Sequence, residues 1–119
     1  MAGDSFQGYG DLILQPGTSA VPYVFVFAAC SDNTTNDGSL PFGTTISSVA
    51  VKAFDEAGTD RTAEIVNSAT STATTVRVGL NYPSTTGAGR YSLEILVTLS
   101  TGAVMEFDFT RVYAKDVAA

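Results

Sequence analysis

Apolar and polar side chains alternate along two runs near the end of the chain. These are Tyr91-Ser92-Leu93-Glu94-Ile95-Leu96-Val97-Thr98-Leu99 and Val104-Met105-Glu106-Phe107-Asp108-Phe109-Thr110-Arg111-Val112-Tyr113, with a short turn between them. Successive strand side chains point to opposite faces, so Tyr91, Leu93, Ile95, Val97 and Leu99 share one side of the first strand; Met105, Phe107, Phe109 and Tyr113 share one side of the second. The two apolar sides must coincide. A two-residue turn at Thr101-Gly102 would set every apolar residue against a polar one, because a one-residue slip flips the whole face. The pattern therefore predicts a three-residue loop, Ser100-Thr101-Gly102, with Gly102 in the left-handed conformation as a bulge. That register stacks Val97 on Met105, Ile95 on Phe107 and Leu93 on Phe109. It also sets Glu94 across from Asp108 on the opposite face, with Glu106 nearby, an unfavourable grouping that calls for an offset.

Upstream, the chain reads as short strands separated by turn formers. Residues 1–9 are small, polar and Gly-containing, and read as a flexible arm. Strands are expected at 11–15, 23–29, 46–54, 62–66 and 74–80, with turns at Pro16-Gly17, 31–38, 55–58 and 67–73. No segment sustains a helical period. Seven strands at this spacing predict an all-β fold, an immunoglobulin-like antiparallel β-sandwich over residues 10–116, with a small barrel as the alternative closure. The strand at 23–29 is unusual because Tyr23, Phe25 and Phe27 fill one face while Val24, Val26 and Ala28 fill the other. An antiparallel sandwich strand normally keeps one wet face. Either the connection 31–45 covers the outer side, or that side meets another subunit; Tyr23, Phe25 and Phe27 are carried as interface candidates, together with Glu94, Glu106 and Asp108.

Composition narrows the function. At 119 residues the chain can bury a core without staples. A formal net charge of −6, with six scattered basic residues, argues against nucleic acid held through its phosphates. Charged residues are 15 % of the chain, below the roughly 25 % typical of soluble domains, and hydroxyl residues take their place on the surface. Cys30 has no partner for a disulfide within the chain and sits beside an apolar run, which suits a small buried hydrophobe. No signal peptide and no membrane span are expected.

Catalytic chemistry is largely excluded by residue type. The chain has no histidine, hence no Ser-His-Asp arrangement, and it lacks a Gly-x-Ser-x-Gly elbow and a zinc-type Cys/His cluster. Gly8-Tyr9-Gly10 and Gly87-Ala88-Gly89 lack the further glycines of a phosphate loop. Glu94 and Asp108 could be spaced as a glycosidase pair, yet they lie mid-strand on a flat face rather than in a cleft. The loop Asp32-Asn33-Thr34-Thr35-Asn36-Asp37-Gly38 resembles the first half of a calcium loop when read from Asn33. Its twelfth position is then Thr44, where a bidentate Glu is required, so a solvated turn is the expectation. Asn33-Thr34-Thr35 is also a formal glycosylation sequon. No catalytic residue, cofactor or metal ligand is assigned.

Several runs together resemble a known family. Ile46-Ser47-Ser48-Val49-Ala50-Val51 precedes Asp55-Glu56-Ala57-Gly58-Thr59-Asp60-Arg61-Thr62. Gly89-Arg90-Tyr91-Ser92-Leu93 and Val97-Thr98-Leu99-Ser100-Thr101-Gly102 follow. This pattern, over about residues 46–113, resembles the Ig-like structural proteins of tailed bacteriophages, which decorate or cement capsids or sit in the neck and tail; Ig-like repeats of bacterial adhesins share much of it. The resemblance implies a non-enzymatic virion protein, foremost a capsid decoration or cement subunit. It implies contacts with a major capsid or other virion protein and with copies of itself as a homo-oligomer, without nucleic acid or membrane, assembled in the bacterial host cytoplasm. On this reading residues 1–9 reach to a neighbour and the acidic trio meets Lys or Arg of another subunit. The competing expectation is an Ig-like carbohydrate-binding or adhesin module, with Tyr9, Tyr82 and Tyr113 as stacking candidates.

Overall fold

The structure, a computed structural model, describes residues 10–115. The expected arm at 1–9 and Asp116 lie outside the described residues. The elements in chain order are β1 (Leu12–Leu14), β2 (Val21–Val26), β3 (Ile46–Asp55), α1 (Thr62–Ile65), β4 (Val66–Ser71), β5 (Thr75–Leu80), β6 (Gly89–Leu99) and β7 (Val104–Ala114). They form two sheets, ordered β1-β7-β6-β3 and β2-β5-β4. Every pairing is antiparallel except β1, which runs parallel to β7. The fold is an all-β sandwich.

One core lies between the sheets because each contributes an alternating apolar face. Val76, Val78 and Leu80 of β5 and Phe25 of β2 meet Leu93, Ile95, Val97, Phe107 and Phe109 of β6 and β7, all buried. Two tilted aromatic pairs bridge the layers, Phe25 on Phe109 with centroids 5.5 Å apart and Phe27 on Phe107 at 4.9 Å. Such pairs add about 0.5–1.5 kcal/mol beyond the area they bury.

The closing hairpin has the expected register: Leu93↔Phe109, Glu94↔Asp108, Ile95↔Phe107 and Val97↔Met105 are paired, and Gly102 has φ +91°. The far end differs. Between Tyr91↔Val112 and Leu93↔Phe109, β7 carries one extra residue. That bulge turns Val112 and Ala114 into the core and leaves Tyr113 half-exposed, against the expectation that Tyr113 would follow Phe109 inward. A second bulge, at Ser47, lets Ile46 face the core alongside Val51 and Ala53, although the three do not share one parity.

The expected strand at 62–66 is instead a single helical turn. The Asp60 carboxylate accepts the Thr62 N–H at 2.8 Å, the carbonyl of Arg61 accepts the N–H groups of Glu64 and Ile65, and Ile65 is fully buried beneath the turn. The strand β4 begins at Val66, the last residue of that expected strand, and runs on through 67–71, in the stretch read as a connection. An edge strand such as β4 needs few apolar residues, and only Val66 and Ala69 pack against the core.

Candidate functional site

Phe25 and Phe27, proposed as interface residues, are 2 % and 0 % exposed. They fill the sandwich interior against Phe109 and Phe107, so neither is available to a partner in this fold. Tyr23, on the same side of β2, is half-buried and packs on the core. The outward side of β2 is the exposed one: Val24 and Val26 are 50 % and 59 % exposed, so the connection to β3 does not cover them. Phe42 and Val104 are exposed to a similar degree.

On the outward face of the four-stranded sheet, Glu94, Glu106 and Asp108 converge as the register requires. Their carboxylate oxygens lie within 4.8 Å of one another; Glu94 is half-buried, the other two exposed. Hydrogen bonding to Asp108, then desolvation and the charges of Asp108 and Glu94, pushes the Glu106 carboxyl above its ordinary value. The upward direction reflects like charges crowded on one face of the ladder. Lys52 sits directly across from Glu94 on β3, yet makes no ion pair with the trio. Calcium takes six to eight oxygens. Exposed acidic groups are common without an ion, so the trio alone assigns no calcium site.

The loop at 31–38 directs its acids inward on itself. Asp32 Oδ1 accepts Thr34 N–H at 2.8 Å, Thr34 Oγ1–H at 2.7 Å, Thr35 N–H at 3.0 Å and Thr35 Oγ1–H at 3.1 Å. Asp37 accepts the N–H and hydroxyl of Ser31. These bonds hold both carboxyls below their ordinary values, the Thr34 hydroxyl acting most strongly on Asp32 and the Ser31 hydroxyl on Asp37. The two acids of the loop are thus engaged by its own donors. Cys30 is buried, its Sγ 3.5 Å from the Gly38 carbonyl.

At the opposite end a polar network ties three segments together. Asp55 Oδ1 accepts the N–H groups of Ala57 and Thr59, and Asp55 Oδ2 meets Arg61 Nε at 3.1 Å. Glu64 of α1 accepts Thr86 N–H at 2.9 Å and Thr86 Oγ1–H at 2.6 Å. Beside this network lies a shallow, open hollow of about 260 Å³ lined by Asp55, Glu56, Arg90, Tyr91, Ser92 and Thr110, with Arg90 Nε donating to the Thr110 carbonyl at 3.1 Å. Sequence reasoning took 55–58 as a turn and 62–66 as a strand, and missed the link from Glu64 to Thr86. The carboxylates spaced through 55–64 were the available signal.

Of the stacking candidates, Tyr82 is half-buried on the core, Tyr113 lies beneath Lys115 Nζ at 5.8 Å, and Tyr9 is outside the described residues. No helix among the described residues is long and apolar enough to cross a membrane. A scan against protein-family models finds no match to this chain, and a search of the curated proteins finds none either.

Proposed function

We propose that the chain is an Ig-like sandwich acting as a non-enzymatic structural subunit of a tailed-bacteriophage virion, a decoration or cement protein that stabilises the head through protein–protein contacts. Two features support the Ig-like part. The order β2-β5-β4 against β7-β6-β3, with β1 beside β7, follows the two-sheet plan of immunoglobulin domains with the first strand moved next to the last. Tyr91, near the start of β6, donates its hydroxyl to the Gly87 carbonyl four residues upstream at 2.7 Å, the tyrosine-corner arrangement of that fold.

The observation that carries the assembly reading is the uncovered apolar side of β2. An isolated sandwich keeps its outer face polar, whereas Val24 and Val26 stand exposed in the middle and at the end of that strand. The partners on this reading are a major capsid or other virion protein and further copies of the chain, within the virion assembled in the bacterial host cytoplasm. No cofactor enters, and the absence of histidine agrees with a role without catalysis. Particles purified from a host lysate producing the protein should contain it in fixed proportion to the major capsid protein by quantitative mass spectrometry. Its loss from particles on gradient purification would overturn the reading.

The hollow by Arg90 favours a second reading, a carbohydrate-binding module. Ser92 and Thr110 hydroxyls, the Arg90 guanidinium and the Asp55 and Glu56 carboxylates offer both donors and acceptors to a polyol. A glycan array on which Arg90→Ala and Ser92→Ala lose signal would support it.

A further inference from the structure

We infer that the two outer faces of the sandwich bind each other between copies of this chain, with Arg77 of one copy seated on the Glu94–Glu106–Asp108 trio of the next. This rests on the assembly reading above and adds the partner and the contact.

The outward side of the three-stranded sheet is set by its register. Val24 of β2, Arg77 of β5 and Thr70 of β4 form one row, flanked by Pro22, Gly79 and Ser68 on one side and by Val26 and Thr75 on the other. Arg77 is exposed, is the single charged residue of this face, and has no ion pair among the described residues. The face is therefore one cation on the central strand of a flat field of apolar, glycine and hydroxyl positions.

The other outer face is its electrostatic complement. It carries three carboxylates on its two central strands, their oxygens within 4.8 Å of one another; of the cations on this face, Lys52 pairs with none of them and Arg90 donates to the Thr110 carbonyl. A guanidinium is suited to this group because its planar fork can serve two carboxylate oxygens at once.

The charges also select the mode of pairing. Two copies related by a two-fold axis would set Arg77 near Arg77, or trio against trio, and like charges across a contact are strongly disfavoured. The complementary contact joins different faces, so it is heterologous and builds stacks or a closed ring. Three strands about 4.8 Å apart and six residues at about 3.4 Å make a face of roughly 300 Å². A standard interface buries about 800 Å² per partner, so the pair by itself is weak and gains strength when subunits are arrayed on a surface.

Sedimentation velocity on the full chain, from about 10 μM to 1 mM at low salt, tests this. Wild type should show concentration-dependent association that salt weakens. Arg77→Glu should lower the association constant at least tenfold, and so should the double variant Glu106→Lys/Asp108→Lys, each keeping the wild-type circular dichroism spectrum. Mixing the two variants should restore association, since the Arg77→Glu chain keeps its trio for the Arg77 of the other and the two charge-reversed faces also complement each other; chains that had lost their fold would not be rescued in this way. Wild type that stays monomeric to 1 mM, or Arg77→Glu that associates like wild type, would overturn the inference. If the protein is found in purified particles while Arg77→Glu is incorporated unchanged, the stacking contact fails and the virion reading stands. If the pair forms through Arg77 but particles lack the protein, the reverse holds.

Discussion

Removing one oxygen atom from Tyr91 tests whether the corner at the start of β6 is held by its hydroxyl. Tyr91 is 2 % exposed, and its hydroxyl donates to the half-buried Gly87 carbonyl at 2.7 Å. Tyr91→Phe keeps the ring in place, so it opens no cavity and isolates the bond. A net intramolecular hydrogen bond contributes about 0.5–1.5 kcal/mol, and water can partly replace it at a half-buried carbonyl, so the loss should be about 1 kcal/mol. For a domain of this size that lowers Tm by about 4 °C. Urea unfolding followed by circular dichroism should show a lower midpoint at unchanged slope. Tyr91→Ala, which also removes the ring, should cost about 3–5 kcal/mol. The effect also has a pH signature. Burial, followed by the charges of Glu64 and Asp55, raises the Tyr91 phenol above its ordinary value. A raised folded-state value means stability fully present below about pH 10 and lost as pH rises through the folded value. The phenylalanine variant has no such loss, so the two stability curves should converge at alkaline pH. A Tyr91→Phe melting point within 1 °C of wild type, with curves parallel above pH 10, would show that the corner is held by packing alone.

Three further outcomes follow from local geometry. Gly38→Ala should destabilise by about 2 kcal/mol, because the added Cβ would lie 2.4 Å from the Ala28 carbonyl oxygen and 2.6–2.7 Å from the Ala29 carbonyl group, backbone atoms that cannot swing away; a neutral result by thermal melting would mean that the 31–38 loop is not seated there. Glu106→Gln should raise Tm at pH 7, since a raised carboxyl value withdraws stability as pH climbs through it, and the gain should vanish below about pH 4, where the wild-type group is protonated folded and unfolded alike. Millimolar calcium and EDTA should give the same Tm within 1 °C, because the acids of loop 31–38 are engaged by Ser31, Thr34 and Thr35; a calcium-dependent rise of several degrees would refute that account.

The closing hairpin was legible because two independent constraints, facing apolar sides and a glycine at the turn, allow only one register, and Ile95 lies across from Phe107 as those constraints demand. Bulges defeated the same logic elsewhere. Period-2 reading assumes an unbroken ladder, so it carried Tyr113 inward with Phe109, while the extra residue in β7 turns Val112 inward instead. The strand around Phe25 failed for another reason. Both its sides are apolar, alternation is silent about which faces the core, and ring volume decides: two Phe rings fill the space between the sheets that two Val side chains cannot. The helical turn at Thr62 was hidden because four residues cannot display a period. The acidic trio, by contrast, was fully implied by the hairpin register. What it meets was not, since Arg77 reaches the opposite outer face only through the order of strands in a different sheet.

Five of the chain's acids are held by hydrogen bonds from nearby hydroxyls and backbone amides, and this sets how the fold should come apart at low pH. Carboxylates of Asp32, Asp37, Asp55, Asp60 and Glu64 accept N–H groups of Ser31, Thr34, Thr35, Ala57, Thr59, Thr62 and Thr86. Each of the five is held below its ordinary value, with hydrogen bonds as the leading cause: the Thr34 hydroxyl for Asp32, the Ser31 hydroxyl for Asp37, the Thr59 amide for Asp55, and the hydroxyls of Thr62 and Thr86 for Asp60 and Glu64. A depressed folded-state value contributes stability that is present above the unfolded value, about 3.9–4.3, and is lost as pH falls through the folded one. All five lie at the two ends of the sandwich, in loop 31–38 or between the last residue of β3 and α1, whereas the central ladder of β6 and β7 carries Glu106, whose shift has the opposite sign. Acid should therefore open the ends before the sheets. Amide exchange by NMR, corrected for its intrinsic pH dependence, should show those seven N–H groups losing protection below about pH 4 while the amides of Ile95 and Phe107 keep theirs. Simultaneous loss at all sites would mean that the end loops are held by the sandwich itself and that their carboxylates contribute nothing separable.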